Sequence, residues 1–259
     1  MTEYQRIRYS VAHGIATVLL NRPEKRNALD NLTLTELADA FEAAGASRDV
    51  RVVLLRGAGP DFCAGADLAQ LERISASSDP LENLEDAAML GELFIRMRAL
   101  SKPIIAVVQG SAFAGGAGLA TACDLAIAAD TAKLSYTEVR LGFVPAMVMA
   151  LLRRIVGEKV AFELAALGEV ISAPEAQRLG IFNRVVPAQL LDKSAHDYAA
   201  ELAKRSGSAL LLIKRLLYGT DAVTFEQAIR RGTEVNVLAR ATVDCREGVQ
   251  QFLASRKNK

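Results

Sequence analysis

The chain has 259 residues, enough for one or two domains with a sizeable buried core. Its 31 Lys and Arg nearly balance 30 Asp and Glu, a net charge of +1, so no global field draws it to nucleic acid or to an anionic membrane. Hydrophobic residues make up 51% of the chain, yet no run approaches the roughly 20 needed to span a bilayer, and the opening MTEYQRIRYS lacks the apolar centre of a secretory signal.

Tyr4 to Tyr9 and Ile15 to Leu20 read as two strands around the turn Ala12-His13-Gly14. Asn21-Arg22-Pro23 ends the second strand. Asn31 is the expected N-cap of a helix whose apolar stripe is Leu32, Leu34, Leu37, Ala40 and Phe41. Val50 to Leu55 is the next strand. The strand–strand–helix–strand order predicts an α/β spiral of short units, although the sequence shows no clear repeat. The polar stretch 72–86, with Asp79-Pro80, reads as a loop beside a site or as a weak helix. Glu85 to Leu100 reads as a helix that covers the sheet.

The most informative stretch runs from Lys102 to Asp130. Ile104 to Val108 is an uninterrupted apolar run bounded by Pro103 and Gly110, as a strand buried on both faces reads. Cys123 to Ala129 is a second such run. Between them, Ala112 to Gly118 is a turn of small residues that lets another group approach the backbone closely. A helix starting near Gly115 and Gly116 would present free N–H groups and the positive end of its dipole to an oxygen gaining charge. Close packing of helix on sheet is the plainer explanation of the same glycines. A second bare turn, Asp61 to Leu68 (DFCAGADL), follows a strand and the loop Gly57-Ala58-Gly59-Pro60. Two such turns can place one N–H each around one oxygen, which suits a thioester carbonyl becoming an enolate. His13 and His196 sit in no nucleophile context. Cys63, Cys123 and Cys245 have no metal-ligand spacing and read as reduced core thiols of a cytoplasmic protein. From about Pro187 the strand-like runs stop. Helices are predicted over Ala188 to Arg205, Ser208 to Tyr218, Thr224 to Leu238 and Asp244 to Ala254, ahead of a basic tail Arg256-Lys257-Asn258-Lys259.

Six motifs, in this order and spacing, resemble the crotonase (enoyl-CoA hydratase/isomerase) family over nearly the whole chain. They are NRPEKRNAL at 21–29, FCAGADL at 62–68, KPIIAVVQGSAFAGGAGLA at 102–120, CDLAIAA at 123–129, LSYTEVRLGFVP at 134–145 and EVISAPEAQRLGIFNRVVP at 169–187. The resemblance implies a spiral of β-β-α units over 1–187 and a helical region over 188–259 that packs on a neighbouring subunit. A homotrimer or hexamer is expected, without metal or any cofactor beyond the coenzyme A of the substrate. It also implies an oxyanion hole from the backbone N–H groups of Ala66 and Gly115, and acyl-CoA contacts around Ala28, Ala64, Leu68 and Gly116.

Other residues carry two readings. Lys25 and Arg26 are a surface charge pair by default, but in the family this loop lies along the nucleotide of coenzyme A. Asp67 suits an N-cap as well as a substrate contact. Tyr136 and Phe143 suit an acyl pocket or the core. The basic tail suits solvent, or a phosphate of coenzyme A. Ala146-Met147-Val148-Met149 replaces a Gly-rich segment common in hydratases, which predicts an altered acyl pocket.

Glu138 matches the family glutamate that exchanges a proton at C2, and its apolar segment predicts a raised pKa. Gly118 stands where a second glutamate would be. That pattern fits hydration of a 2-enoyl-CoA, of branched or glutaconyl type, with Glu138 or a substrate carboxylate covering for the missing group. It also fits a Δ3–Δ2 enoyl-CoA isomerase with one carboxylate. A non-catalytic binding protein of the same fold is the third reading, and the lack of a basic–aromatic patch argues against RNA as its partner.

Overall fold

The computed structural model describes residues 3–257. β1 (Ile7–Ala12) and β2 (Ile15–Leu20) form an antiparallel hairpin with Ile7 opposite Leu20. His13 (φ 51°) and Gly14 (φ 78°) both take positive φ, which matches the strand twist across a two-residue turn. β1 therefore begins three residues later than the expected Tyr4. The first strand-entry amides, of Gln5, Arg6 and Ile7, donate to the buried carboxylate of Glu36 on the first helix.

That helix, α1, spans Asn31–Ala46. Its N-cap is Asp30, not Asn31, because the Asp30 carboxylate accepts the Thr33 N–H at 2.8 Å while its own backbone is extended. The buried stripe is Leu34, Leu37, Ala40, Phe41 and Ala44, whereas Leu32 stays 36% exposed. The stretch read as loop or weak helix is largely helical: α2 spans Leu68–Ala76 and α3 spans Pro80–Ala99. Asp79-Pro80 starts α3, because Asp79 accepts the Leu81 N–H and Pro80 sits at the first turn, where a missing N–H costs nothing.

β3 (Val52–Gly57), β4 (Ile104–Val108), β6 (Leu125–Ala129) and β9 (Arg184–Val186) run parallel to β2, giving the order β1-β2-β3-β4-β6-β9. All five residues of β4 are fully buried, so this central strand is covered on both faces. Cys123 caps a helix rather than opening β6, which starts two residues later. A second sheet has the order β5-β7-β8, from Ser111–Phe113, Lys133–Ser135 and Ile171–Ser172. Each turn of the spiral thus leaves the large sheet, visits the small one or its continuation, and returns through helix. α4 (Gly115–Ala122), α5 (Ala146–Val156), α6 (Glu158–Leu167) and α7 (Ala173–Arg178) fill these returns.

The C-terminal region is all helix. α8 (Leu191–Ala203) packs on β2, β3, β4 and β6 through Leu191, Ala195 and Ala199. α9 (Gly207–Gly219), α10 (Phe225–Ala241) and α11 (Val243–Lys257) follow. α9 reaches back into the core. Lys214 Nζ donates to Asp124 Oδ2 at 2.7 Å and to the Met97 carbonyl at 2.8 Å, and the Tyr218 hydroxyl donates to Asp124 Oδ1 at 2.8 Å. Asp124 also accepts the first N–H of β4, from Ile104. This buried ion pair fastens the helical region to the junction of α4 and β6. Of the expected basic tail, Arg256 belongs to α11 and lies over the Phe252 ring, and Asn258 and Lys259 lie outside the described residues. Among the described residues no helix is long and apolar enough to cross a membrane.

Candidate functional site

The two bare turns lie against each other. Cys63 N–H donates to the Ser111 carbonyl and Phe113 N–H to the Cys63 carbonyl, so Cys63 bridges to Ala112 of β5. The approach demands glycine at two points. A Cβ at Gly110 would lie 2.0 Å from the Pro60 carbonyl oxygen, and one at Gly116 would lie 2.2 Å from that of Cys63. Gly116 is buried by this contact, which explains why no larger residue fits there. Gly65 (φ 96°) brings its Cα side within reach of the Gly115 nitrogen, 3.3 Å from where its Cβ would be. The two candidate N–H donors therefore belong to adjoining backbone.

Each donor is left free by its local structure. Leu29 takes the groups on both sides of Ala66: its N–H donates to Gly65 and its carbonyl accepts from Asp67. Alternate residues along an extended strand point opposite ways, so Ala66 presents its N–H away from Leu29. Gly115 is the first residue of α4, outside the helical hydrogen-bond ladder. Neither N–H has a protein acceptor among the described residues. Ala114, which aims Gly115, holds φ 48° and ψ −121°, a strained backbone for a residue with a Cβ. Its N–H is fixed by the Ser135 carbonyl.

Three residues beyond Ser135, Glu138 opens a single 3-10 turn, Glu138–Leu141. Its Oε2 is buried and has no hydrogen-bond partner. Burial pushes its carboxyl above the ordinary glutamate range, opposed only by its own backbone N–H. Leaving a carboxylate oxygen desolvated and unbonded is costly, and such costs gather at functional sites. The side chains packed against α4 and the facing turn of α3 are apolar. Leu29 and Leu90 flank Gly115, Met147 lies against Gly91, and Val148 and Phe94 close over Gly118. Leu141, Phe143 and Val144 beside Glu138 stay exposed.

Several expected ligand contacts turn out to hold the scaffold. Tyr136 is 1% exposed and shares a 2.8 Å hydrogen bond with Thr121, so it belongs to the core, where burial raises its pKa. Asp67 is the N-cap of α2 through Ala69 N–H and pairs with Arg22 at 2.8 Å, which occupies both carboxylate oxygens. Arg26 clamps the loop, donating to Asp61 at 2.8 Å and to Ser111 at 3.0 Å. The Ala28 carbonyl accepts from Arg22, and the half-buried Ala64 donates to the Arg26 carbonyl. Lys25 is exposed and carries no ion pair among the described residues, and Leu68 is 81% exposed at the start of α2.

Sequence reasoning passed over Arg22 and Asn27, which build this loop. Asn27 is buried at φ 56° and spans the Ala58 and Asp61 carbonyls. The signal was available: Asn is the residue that most readily follows a turn into the left-handed region. Lys214 was also passed over, because nothing local marks a lysine whose partner is 90 residues away.

The enoyl-CoA hydratase/isomerase family model matches residues 10–259. A Thermus thermophilus protein provisionally named enoyl-CoA hydratase is 41% identical over 242 residues, covering 93% of this chain and 95% of its own. Crotonyl-CoA hydratase of Syntrophomonas wolfei is 34% identical over 256 residues, covering 98% and 97%. The crystal structure of a Mycobacterium smegmatis enoyl-CoA hydratase superposes with a TM-score of 0.91 at 30% identity, covering 97% of each chain. A match of this extent, on a spiral whose two bare turns adjoin, makes this chain a member of the enoyl-CoA hydratase/isomerase family.

Proposed function

We propose that this protein hydrates 2-enoyl-CoA thioesters. The observation that carries the reading is the partnerless carboxylate oxygen of Glu138, three residues beyond the Ser135 carbonyl that holds Ala114 ahead of the free Gly115 donor. In this reading the N–H groups of Ala66 and Gly115 hold the thioester oxygen as it gains charge, and Glu138 exchanges the proton at C2. Exposed Lys25 meets the phosphates of coenzyme A, with Ala64 and Leu68 along the thioester arm. The chemistry draws on water, one carboxylate and backbone donors, and on no cofactor beyond the coenzyme A of the substrate. Among the described residues no cluster of His, Cys, Asp and Glu could hold a metal ion.

The helical region 188–259 is proposed to build a homotrimer or hexamer. It leaves Phe225 at 82% exposure, with Ile229 and Val237 also exposed, around a groove of about 630 Å³ between α9 and α10, and Leu238, Phe252 and Leu253 exposed elsewhere. A cytoplasmic setting fits three free cysteines, of which Cys63 and Cys123 are buried.

A Δ3–Δ2 isomerase is the second reading, favoured by the apolar seal over Gly118. One assay separates the two. Crotonyl-, 3-hexenoyl- and 3-methylglutaconyl-CoA are each incubated with the protein while the 2-enoyl thioester absorbance is followed. Hydration lowers the signal and isomerisation raises it. A flat trace with all three removes the catalytic reading.

A further inference from the structure

Gly115 opens α4 with a free N–H, and Gly118 follows on the same face, about 4.5 Å further along the axis. In the hydratase reading the coenzyme A arm keeps to solvent with Lys25, so the acyl chain runs inward along this face. The side chains it meets come from the loop before α1, from α3 and from α5. At the donor, a Cβ on Gly115 would lie 3.4 Å from Leu29 Cδ1 and 3.9 Å from Leu90 Cδ2. One turn on, a Cβ on Gly118 would lie 2.7 Å from Val148 Cγ2 and 3.0 Å from Phe94 Cζ. Leu90 and Phe94, four residues apart, share one face of α3. The near end is loose: Leu90, Gly91 and Met147 are half-buried, and Met147 is a flexible side chain. The far end is tight: Phe94 is 4% exposed and Val148 2%. Every side chain so placed is apolar. The next cation along that face of α3, Arg98, lies a turn beyond Phe94, over the Tyr218 ring and paired with Asp221 at 3.4 Å.

We propose that Phe94 and Val148 are the end wall of the acyl pocket, and that the substrates are short, uncharged 2-enoyl-CoAs of about crotonyl length. This rests on the hydratase reading and names the acyl class of the same site. Three residues of helix separate donor from wall, a rise of about 4.5 Å, which the carbons C1 to C4 of a crotonyl thioester fill. A longer chain must push Phe94 or Val148 into a close-packed core, and each surplus methylene in such a pocket costs about 10–200-fold. A carboxylate at the end of the chain would be buried against a phenyl ring and a valine without a partner, which is costlier still. The segment Ala146-Met147-Val148-Met149 thus sets chain length through Val148.

The test reads binding and turnover separately. Saturated butanoyl-, octanoyl- and glutaryl-CoA are titrated calorimetrically into the full-length protein, into Phe94→Ala and into Val148→Ala. The wild type should bind butanoyl-CoA at least tenfold more tightly than either of the others. Each variant should raise octanoyl affinity relative to butanoyl by tenfold or more, with glutaryl-CoA still rejected. The ratio is taken on one sample and comes from folded molecules alone, so a less stable variant leaves it intact. Octanoyl- or glutaryl-CoA binding the wild type as tightly as butanoyl-CoA overturns the wall, as does a ratio unchanged in both variants. In turnover, kcat/KM for crotonyl-CoA should exceed that for 2-octenoyl-CoA by at least 10². A wild type that ranks the saturated chains as expected but hydrates neither enoyl-CoA overturns the hydratase reading and leaves the wall standing. One that hydrates both equally well overturns the wall alone.

Discussion

At the scale of single residues, Glu138 carries both a chemical and a stability signature. Replacing it by Gln keeps the shape and removes the proposed proton exchange, so activity should fall by at least about 10² with coenzyme A thioester binding near native, checked by kcat and by a binding titration. The same substitution should stabilise the fold at neutral pH. The carboxyl pKa of Glu138 is raised by burial, so the folded state binds that proton more tightly than the unfolded chain does. Its contribution is favourable in acid and is lost as pH rises through the folded value. The melting temperature of Glu138→Gln should therefore exceed the wild type at pH 8, and the gap should close as pH falls toward the ordinary glutamate value of about 4.3. A gap independent of pH would contradict the burial argument. Gly115→Pro deletes one donor at a first helical position where proline fits the helix, and should cost about 10²–10³ in rate while leaving helix content unchanged. Residues like these were legible because their signals are local: an apolar run around an acid, and small residues after a strand. Asp67 and Tyr136 were not. Arg22 lies 45 positions from Asp67 and Thr121 lies 15 from Tyr136, and no spacing in one sequence says which of two plausible partners wins.

At the scale of elements, the sequence located β4 residue for residue and the start of α4 at Gly115, because an unbroken apolar run and a bare turn have few alternative readings. It left 72–86 open between a loop and a weak helix, and read α3 from Glu85 where it begins at Pro80, because a run of charge fits either state. Residues 72–86 are held by Arg73 with Glu82 and Asp86, pairs that form only once both helices exist. Asp-Pro likewise marks either a loop or a helix entry, and only the geometry at Leu81 decides. The turn into α4 stores strain that a substitution can release. Ala114→Gly removes a backbone penalty of about 1–3 kcal/mol and adds about 0.4–1 kcal/mol of unfolded-chain freedom. A net gain of about 1 kcal/mol is expected in urea unfolding. A loss would mean that the Ala114 methyl, packed against Gly65, matters more than the dihedral.

At the scale of the whole molecule, the spiral and the helical region are joined by the packing of α8 on the large sheet and by the buried Lys214–Asp124 pair, and exposed apolar faces remain. Sedimentation should give a trimer or hexamer at micromolar concentration, and Phe225→Asp should shift it toward smaller species. A wild-type monomer would leave those faces without a function. Lys214→Met strands the Asp124 carboxylate beneath the sheet and should cost about 3–5 kcal/mol, most of which the double variant with Asp124→Asn should recover in the same unfolding experiment. That pair also sets a clock on synthesis. Asp124 leaves the ribosome 90 residues ahead of its lysine, an interval of roughly 5–20 s at ordinary elongation rates. During it the chain completes β6 to β9 while Asp124, met by the Ile104 N–H, still lacks its cation. A message truncated between these codons would thus yield a product for the proteases rather than a half-active enzyme.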